Sequence, residues 1–212
     1  MPKILKINPQ NPDISLIAEA VNILEGGGVV AYPTETFYGL GADCRNENAL
    51  EKIFLIKGRD IKNPLSVIIG DLGDLKDLVQ EIPQCALLLM DTFWPGALTL
   101  VFTASQNVSP RITAGTGKIG VRISSHPIAT ALAKALRHPV TATSANPSGA
   151  GECTGTHEII ECIGDRIDAV IDGGPAPGGK GSTIVDITAN PPVILREGAI
   201  SNSLILNVLE YR

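Results

Sequence analysis

A chain of 212 residues that is 44% hydrophobic and only 18% charged can bury a sizeable core, which argues against a disordered or tether-like protein. Its formal net charge of −5 argues against gripping nucleic acid by bulk charge, while leaving room for a local basic patch. No apolar run reaches membrane-spanning length, and the first six residues carry no signal-peptide core, so a soluble, cytoplasmic protein without a membrane partner is expected.

In chain order, Ile4-Leu5-Lys6-Ile7 reads as a short strand closed by Asn8-Pro9. Ile14, Ile17, Ala18, Val21 and Leu24 recur at helical spacing, and Gly26-Gly27-Gly28 ends that helix. The apolar run Val29-Val30-Ala31-Tyr32 reads as a buried strand. It stops at Pro33 and a cluster of hydroxyls with one carboxylate, Thr34-Glu35-Thr36. Gly39 and Gly41 then let the backbone turn or approach something closely. Ala49, Leu50, Ile53 and Phe54 mark a helix, and the cations of Lys57-Gly58-Arg59 appear where it stops. Strand runs follow at 65–69, 98–102, 118–123, 140–143, 168–172, 183–187 and 193–196. Helical pieces lie at 72–79, 83–93, around 128–136, near 158–163 and at the C-terminus. No internal repeat or dividing linker is visible. Strands and helices alternate irregularly, with adjacent strand pairs near the end. The expectation is one α/β domain over 1–212, with a twisted sheet of mixed parallel and antiparallel strands flanked by helices.

Several familiar chemistries fail on these residues. Cys44, Cys85, Cys153 and Cys162 are far apart, without Cys-x-x-Cys or zinc-ligand spacing, and read as buried or free thiols. The three histidines, His126, His138 and His157, sit in no nucleophile or metal motif and read as surface or helix-end residues. The loop from Gly174 to Gly181 nearly matches a phosphate-binding P-loop around Lys180. However, Gly181 stands where a hydroxyl belongs, and a β-rich run follows instead of a helix.

What remains is a set of cations and hydroxyls at segment ends. Lys57 and Arg59 flank a glycine, Arg122 and Arg196 close two strands, and Ser144 and Asn146 follow a third. Taken singly, each cation reads as a solvated surface charge. Their repeated placement behind buried runs points instead to a triphosphate or carboxylate ligand, which Arg meets through its fork and Lys as a point charge. Neither Lys57 nor Arg59 is expected in the core.

The combination resembles the YrdC/TsaC family. Pro33-Thr34-Glu35-Thr36-Phe37-Tyr38-Gly39-Leu40-Gly41, Lys57-Gly58-Arg59, Asn63-Pro64-Leu65, Trp94-Pro95-Gly96, Val121-Arg122, Ser144-Ala145-Asn146 and Leu195-Arg196-Glu197-Gly198 recur there in this order. The resemblance covers essentially the whole chain, in the single-domain form of the family. It implies a YrdC-like fold with a positively charged concave face and a threonylcarbamoyl-AMP synthase activity. In that reaction L-threonine, bicarbonate and ATP, with Mg2+ on the phosphates, give the adenylate and pyrophosphate. Partner proteins then transfer the threonylcarbamoyl group to the adenosine beside the anticodon of certain tRNAs.

By the same resemblance, Lys57, Arg59, Ser144 and Asn146 form the catalytic polar set. Arg59, Asn63, Ser144 and Arg196 match ATP-contacting positions, and Thr36, Arg122, Ala142 and Ser182 match threonine-contacting positions. Arg122 would take the amino-acid carboxylate. Three departures stand out. Ile68 occupies a place where many members carry a threonine-touching histidine, Asp60 replaces a proline, and Glu152-Cys153 replaces Ser-Pro. The alternative reading is a non-catalytic module of the same fold that binds tRNA or double-stranded RNA.

Overall fold

The computed structural model describes residues 1–58 and 63–210. In chain order the elements are β1 (Lys3–Lys6), α1 (Ile14–Glu25), β2 (Val30–Pro33), β3 (Tyr38–Gly41), α2 (Glu47–Lys57), β4 (Ser66–Ile68), α3 (Leu75–Leu78), α4 (Gln84–Phe93), β5 (Leu98–Thr103), α5 (Pro110–Thr113), β6 (Lys118–Arg122), α6 (Pro127–Leu136), β7 (Val140–Thr141), β8 (Thr143–Ser144), α7 (Thr156–Ile163), β9 (Ala169–Asp172), β10 (Thr183–Asp186), β11 (Val193–Arg196) and α8 (Asn202–Glu210). The α/β class and the mixed pairing agree with the sequence. The strands divide between two hydrogen-bonded ladders, in the orders β1-β9-β2-β3-β8 and β11-β10-β5-β6-β4-β7. Parallel pairs (β1/β9, β2/β9, β4/β6, β5/β10) alternate with antiparallel ones (β2/β3, β3/β8, β5/β6, β4/β7, β10/β11).

The continuous apolar run of β2 is explained by burial on both faces. Val30 and Tyr32 point one way, into a core with Ala20 and Leu24 of α1 and Ile128 and Leu132 of α6. Ala31 points the other way, into a core shared with Leu50 and Ile53 of α2 and with Val67, Leu100 and Val121 of the second ladder. The period-2 alternation of a strand thus assigns alternate residues to separate cores.

β3 is an addition to the sequence reading, which takes Gly39 and Gly41 as backbone freedom alone. They lie in a strand antiparallel to β2, with Tyr32 opposite Gly39. A Cβ on Gly41 would stand 2.9 Å from Tyr32 Cε1 and 3.0 Å from Val140 Cγ2, and one on Gly39 would stand 3.1 Å from Tyr32 Cζ. The glycines leave room for the buried Tyr32 ring, whose hydroxyl donates to the Thr141 carbonyl at 2.8 Å. Gly41→Ala is therefore expected to cost about 1–3 kcal/mol by overpacking. A urea unfolding curve with an unshifted midpoint would show that the ring yields freely.

The two ladders part at Ala142. β7 ends at Thr141 in one ladder, and β8 begins at Thr143 in the other. Thr141 Oγ1 donates to the Leu40 carbonyl at 2.8 Å and accepts from the Ala42 amide at 2.9 Å. The Ala142 amide donates to the Ser66 carbonyl at 2.8 Å. Along the chain a single residue separates β7 from β8, and a hollow opens on one side of it.

Among the described residues no helix is long and apolar enough to cross a membrane. All four cysteines are free. His126 caps α6, accepting from the Ile128 amide through Nδ1, which agrees with a helix-end role.

Candidate active site

The hollow is a cavity of about 610 Å³. Its wall takes Tyr38 and Gly39 from β3, Lys57 from α2, Ser66 from β4, Thr99 from β5, Arg122 from β6, Ser144 from β8, Ile184 from β10 and Arg196 from β11. Strand ends from both ladders thus meet there, where an α/β protein characteristically holds ligands. Of the residues expected from sequence, Thr36, Lys57, Arg122, Ala142, Ser144, Asn146, Ser182 and Arg196 all line this one cavity. Pro64 lines it, whereas its neighbour Asn63 does not. Arg59 and the Asp60 departure lie outside the described residues.

Lys57 corrects the expectation that it stands outside the core, because it is only 4% exposed. It is the last residue of α2, and Gly58 ends the helix in the left-handed region at φ 56°. A β-carbon is disfavoured there, so the glycine between the cations serves the helix terminus. Lys57 Nζ donates to the Ser144 carbonyl at 2.8 Å, to Asn146 Oδ1 at 2.9 Å and to Ser144 Oγ at 3.2 Å. Ser144 Oγ donates to Asn146 Oδ1 at 2.6 Å, and Asn146 Nδ2 to the Ala150 carbonyl at 2.7 Å. The Lys-Gly-Arg and Ser-Ala-Asn segments are thereby locked together, with a buried positive charge at their junction.

Arg122, 5% exposed, ends β6. Its NH1 donates to Glu35 Oε1 at 2.8 Å. The other Glu35 oxygen accepts from the hydroxyl of fully buried Ser124, whose Oγ in turn accepts from the His126 amide at 3.1 Å. Sequence reasoning passed over Glu35 and Ser124. The available signal was a lone carboxylate among hydroxyls directly behind a buried strand. Glu35 sits in the β2–β3 turn. There Thr34 Oγ1 donates to the Phe37 carbonyl at 2.7 Å and accepts from the Thr36 amide at 3.2 Å, the usual way a hydroxyl fixes a turn.

Arg196 donates through Nε and NH2 to the Ser182 carbonyl at 3.1 and 2.8 Å, and Ser182 Oγ lies 2.9 Å from Thr99 Oγ1. Partial burial and the charge of Arg122 pull the Arg196 pKa below the ordinary arginine value, while Glu152 pulls it back up. Both guanidinium groups line the one cavity and offer N–H donors to an anion. Glu152 is the carboxylate on the wall, so this departure faces the cations directly. Ile68, in contrast, is fully buried in the core beside Tyr32 and is absent from the wall.

The near-P-loop lacks the helix that would follow a phosphate-binding loop. Thr183 begins a strand, and Lys180 is exposed and paired with Glu197 at 3.1 Å. Its loop instead closes one side of the cavity, with Gly178 donating to the Thr36 carbonyl at 2.8 Å and Gly181 on the wall. Among the described residues no three His, Cys, Asp or Glu side chains gather for a metal ion.

Residues 22–198 match the profile of the Sua5/YciO/YrdC family, which carries the description telomere recombination. The chain belongs to the Sua5/YciO/YrdC family. It is 42% identical over 194 residues to the threonylcarbamoyl-AMP synthase of Bacillus subtilis, covering 91% of this chain and 56% of that protein. It is 34% identical to the uncharacterised protein YciO of Escherichia coli, covering 93% and 96%. The chain thus spans about half the length of its synthase relatives from Bacillus subtilis and Pyrococcus abyssi and nearly all of YciO. Among solved structures it is similar to Sua5 of P. abyssi complexed with L-threonine, with a TM-score of 0.94 and 39% identity, covering 98% of this chain and 61% of that one. It is also similar to E. coli YciO, with a TM-score of 0.87 and 33% identity, covering 94% and 97%.

Proposed function

We propose that the chain is a cytoplasmic L-threonylcarbamoyladenylate synthase, a nucleotidyltransferase that makes threonylcarbamoyl-AMP and pyrophosphate from L-threonine, bicarbonate and ATP. One observation carries this reading: Lys57, Arg122 and Arg196 converge with Thr36, Ser144, Asn146 and Ser182 in one cavity. The threonine complex of a relative with a TM-score of 0.94 supports an amino-acid ligand.

The chemistry needs no protein nucleophile. The threonine amine and bicarbonate give a carbamate and water. A carbamate oxygen then attacks the α-phosphorus in line, the bond to the β-phosphate breaks, and pyrophosphate leaves. Positioning and charge neutralisation supply the rate in such a transfer. Lys57, held by Ser144 and Asn146, supplies a fixed positive charge beside the reacting phosphate, with Arg59 of the same motif. Ser144 and Arg196 hold ATP together with Arg59; Asn63, which matches an ATP-contacting position of the family, stands off the wall beside Pro64. Thr36, Arg122, the Ala142 carbonyl and Ser182 hold threonine, with Arg122 on the carboxylate. Mg2+ arrives on the ATP phosphates as part of the substrate, which suits a cavity whose described wall carries Glu152 as its carboxylate. The product passes to transfer proteins that modify tRNA next to the anticodon.

The test is pyrophosphate release by the full chain, with mass spectrometry of the product. Release is expected only when threonine, bicarbonate and MgATP are present together. No release, combined with retention of tRNA or double-stranded RNA, would instead support the binding-module reading.

A further inference from the structure

We propose that Glu35 determines which anion the amino-acid end of the cavity accepts. By neutralising Arg122 it reserves that end for the carboxylate of a zwitterion and turns phosphate groups away. The proposal rests on the functional reading above and adds a residue and a role to it.

The two guanidinium groups on the cavity wall are held in opposite ways. Arg196 is anchored by the carbonyl and hydroxyl of Ser182, both neutral, and Glu152 acts on it through charge with no hydrogen bond between them, so Arg196 keeps more of its charge for a ligand than Arg122 does. Arg122 is anchored by a carboxylate at 2.8 Å, and the side chains of the pair are only 6% and 14% exposed. Little water screens them, so the pair presents almost no net charge to an approaching ligand. The guanidinium still keeps N–H donors beyond the one given to Glu35, and those can meet a carboxylate geometrically.

A zwitterion and a polyphosphate respond differently to such a site. The amino-acid carboxylate carries one negative charge and brings its own positive charge with it, so Glu35 repels it weakly. Pyrophosphate, or a triphosphate whose charge its Mg2+ cancels only in part, brings a net negative charge of two or more, and the Glu35 carboxylate behind a single guanidinium repels it more strongly. Two ligands that share one cavity, one of them a polyanion, require such a partition. Without it, ATP or the pyrophosphate it releases would settle on both arginines. Glu35 is itself pinned at its second oxygen by Ser124, which is fully buried, so it cannot swing away to expose Arg122.

Glu35→Gln removes the charge and keeps the shape and the acceptor for Arg122 NH1. Calorimetric titration of the full chain with L-threonine, at increasing inorganic pyrophosphate, reads the partition without turnover. In the unsubstituted chain pyrophosphate is expected to leave threonine affinity within about 2-fold. In Glu35→Gln it is expected to displace threonine competitively and to bind there about 10-fold more tightly, in line with the loss of one buried like charge. Glu35→Asp, which retains the charge, should keep the exclusion. Threonine binding that pyrophosphate displaces equally in the unsubstituted chain would overturn the proposal alone, even if Glu35→Gln failed to fold. Weaker threonine binding in Glu35→Gln with no competition would also overturn it, leaving Glu35 a mere prop for Arg122. Absence of any threonine binding by the unsubstituted chain would instead remove the functional reading and this proposal together.

Discussion

Lys57→Met is expected to lower pyrophosphate-forming turnover by about 10²–10³-fold, the scale of losing one preorganised charge in a water-poor site. Methionine keeps most of the buried aliphatic stem, so the loss reports on the ammonium group and not on a cavity. That distinction matters because Lys57 is only 4% exposed, and an alanine there would mix packing with charge. The stability effect follows from the same contacts. The Ser144 carbonyl and Asn146 Oδ1 lose a charged donor at 2.8 and 2.9 Å. Asn146 Oδ1 keeps the Ser144 hydroxyl at 2.6 Å, so only part of the acceptor set is orphaned. About 1–3 kcal/mol of unfolding free energy should go, measured by urea titration. Turnover near that of the unsubstituted chain would remove Lys57 from the catalytic set.

The same residue shows what sequence can reveal. One cation at the end of a helix or strand has ordinary structural uses, but several placed behind buried runs do not, so Lys57, Arg122 and Arg196 are legible together as ligand-seeking groups before any fold is known. Their meeting in one cavity depends on strand ends from two ladders. That Lys57 is buried is not legible. The helix runs three residues past Phe54, the last apolar residue the spacing marks, and only tertiary packing places Ser144 and Asn146 over its end.

β3 is hidden for a related reason. Two glycines in four residues imitate a turn, and the strand makes sense only once the Tyr32 ring lies against it. The division into two ladders is hidden as well, because β7 and β8 read as one short strand and only the single residue Ala142 separates them. Glu35 is visible as a lone carboxylate, but its partner is 87 positions away, a distance no local pattern spans.

Arg122→Met should separate folding from function. The substitution leaves Glu35 buried with the Ser124 hydroxyl as its remaining donor, an uncompensated charge at 14% side-chain exposure. Breaking a buried pair from one side costs about 3–5 kcal/mol, and the open cavity beside this pair favours the lower figure. Adding Glu35→Gln removes the stranded charge, so the double variant should recover most of the lost stability. Recovery by urea titration would give a coupling energy of the size expected for residues in direct contact. Threonine affinity should not recover with it. Loss of the charge-assisted contact to the amino-acid carboxylate is expected to weaken threonine by about 10–100-fold in both variants that lack Arg122. ATP affinity should stay within a few-fold, because Arg196 keeps its own anchors on Ser182. If threonine binds the restored double variant as it does the unsubstituted chain, Arg122 only props the fold, and the carboxylate must be held elsewhere in the cavity. If stability fails to return while threonine stays weak, the methionine side chain disturbs the end of β6 beyond the ion pair. Arg122→Lys, which keeps a charge for Glu35, then separates the two effects.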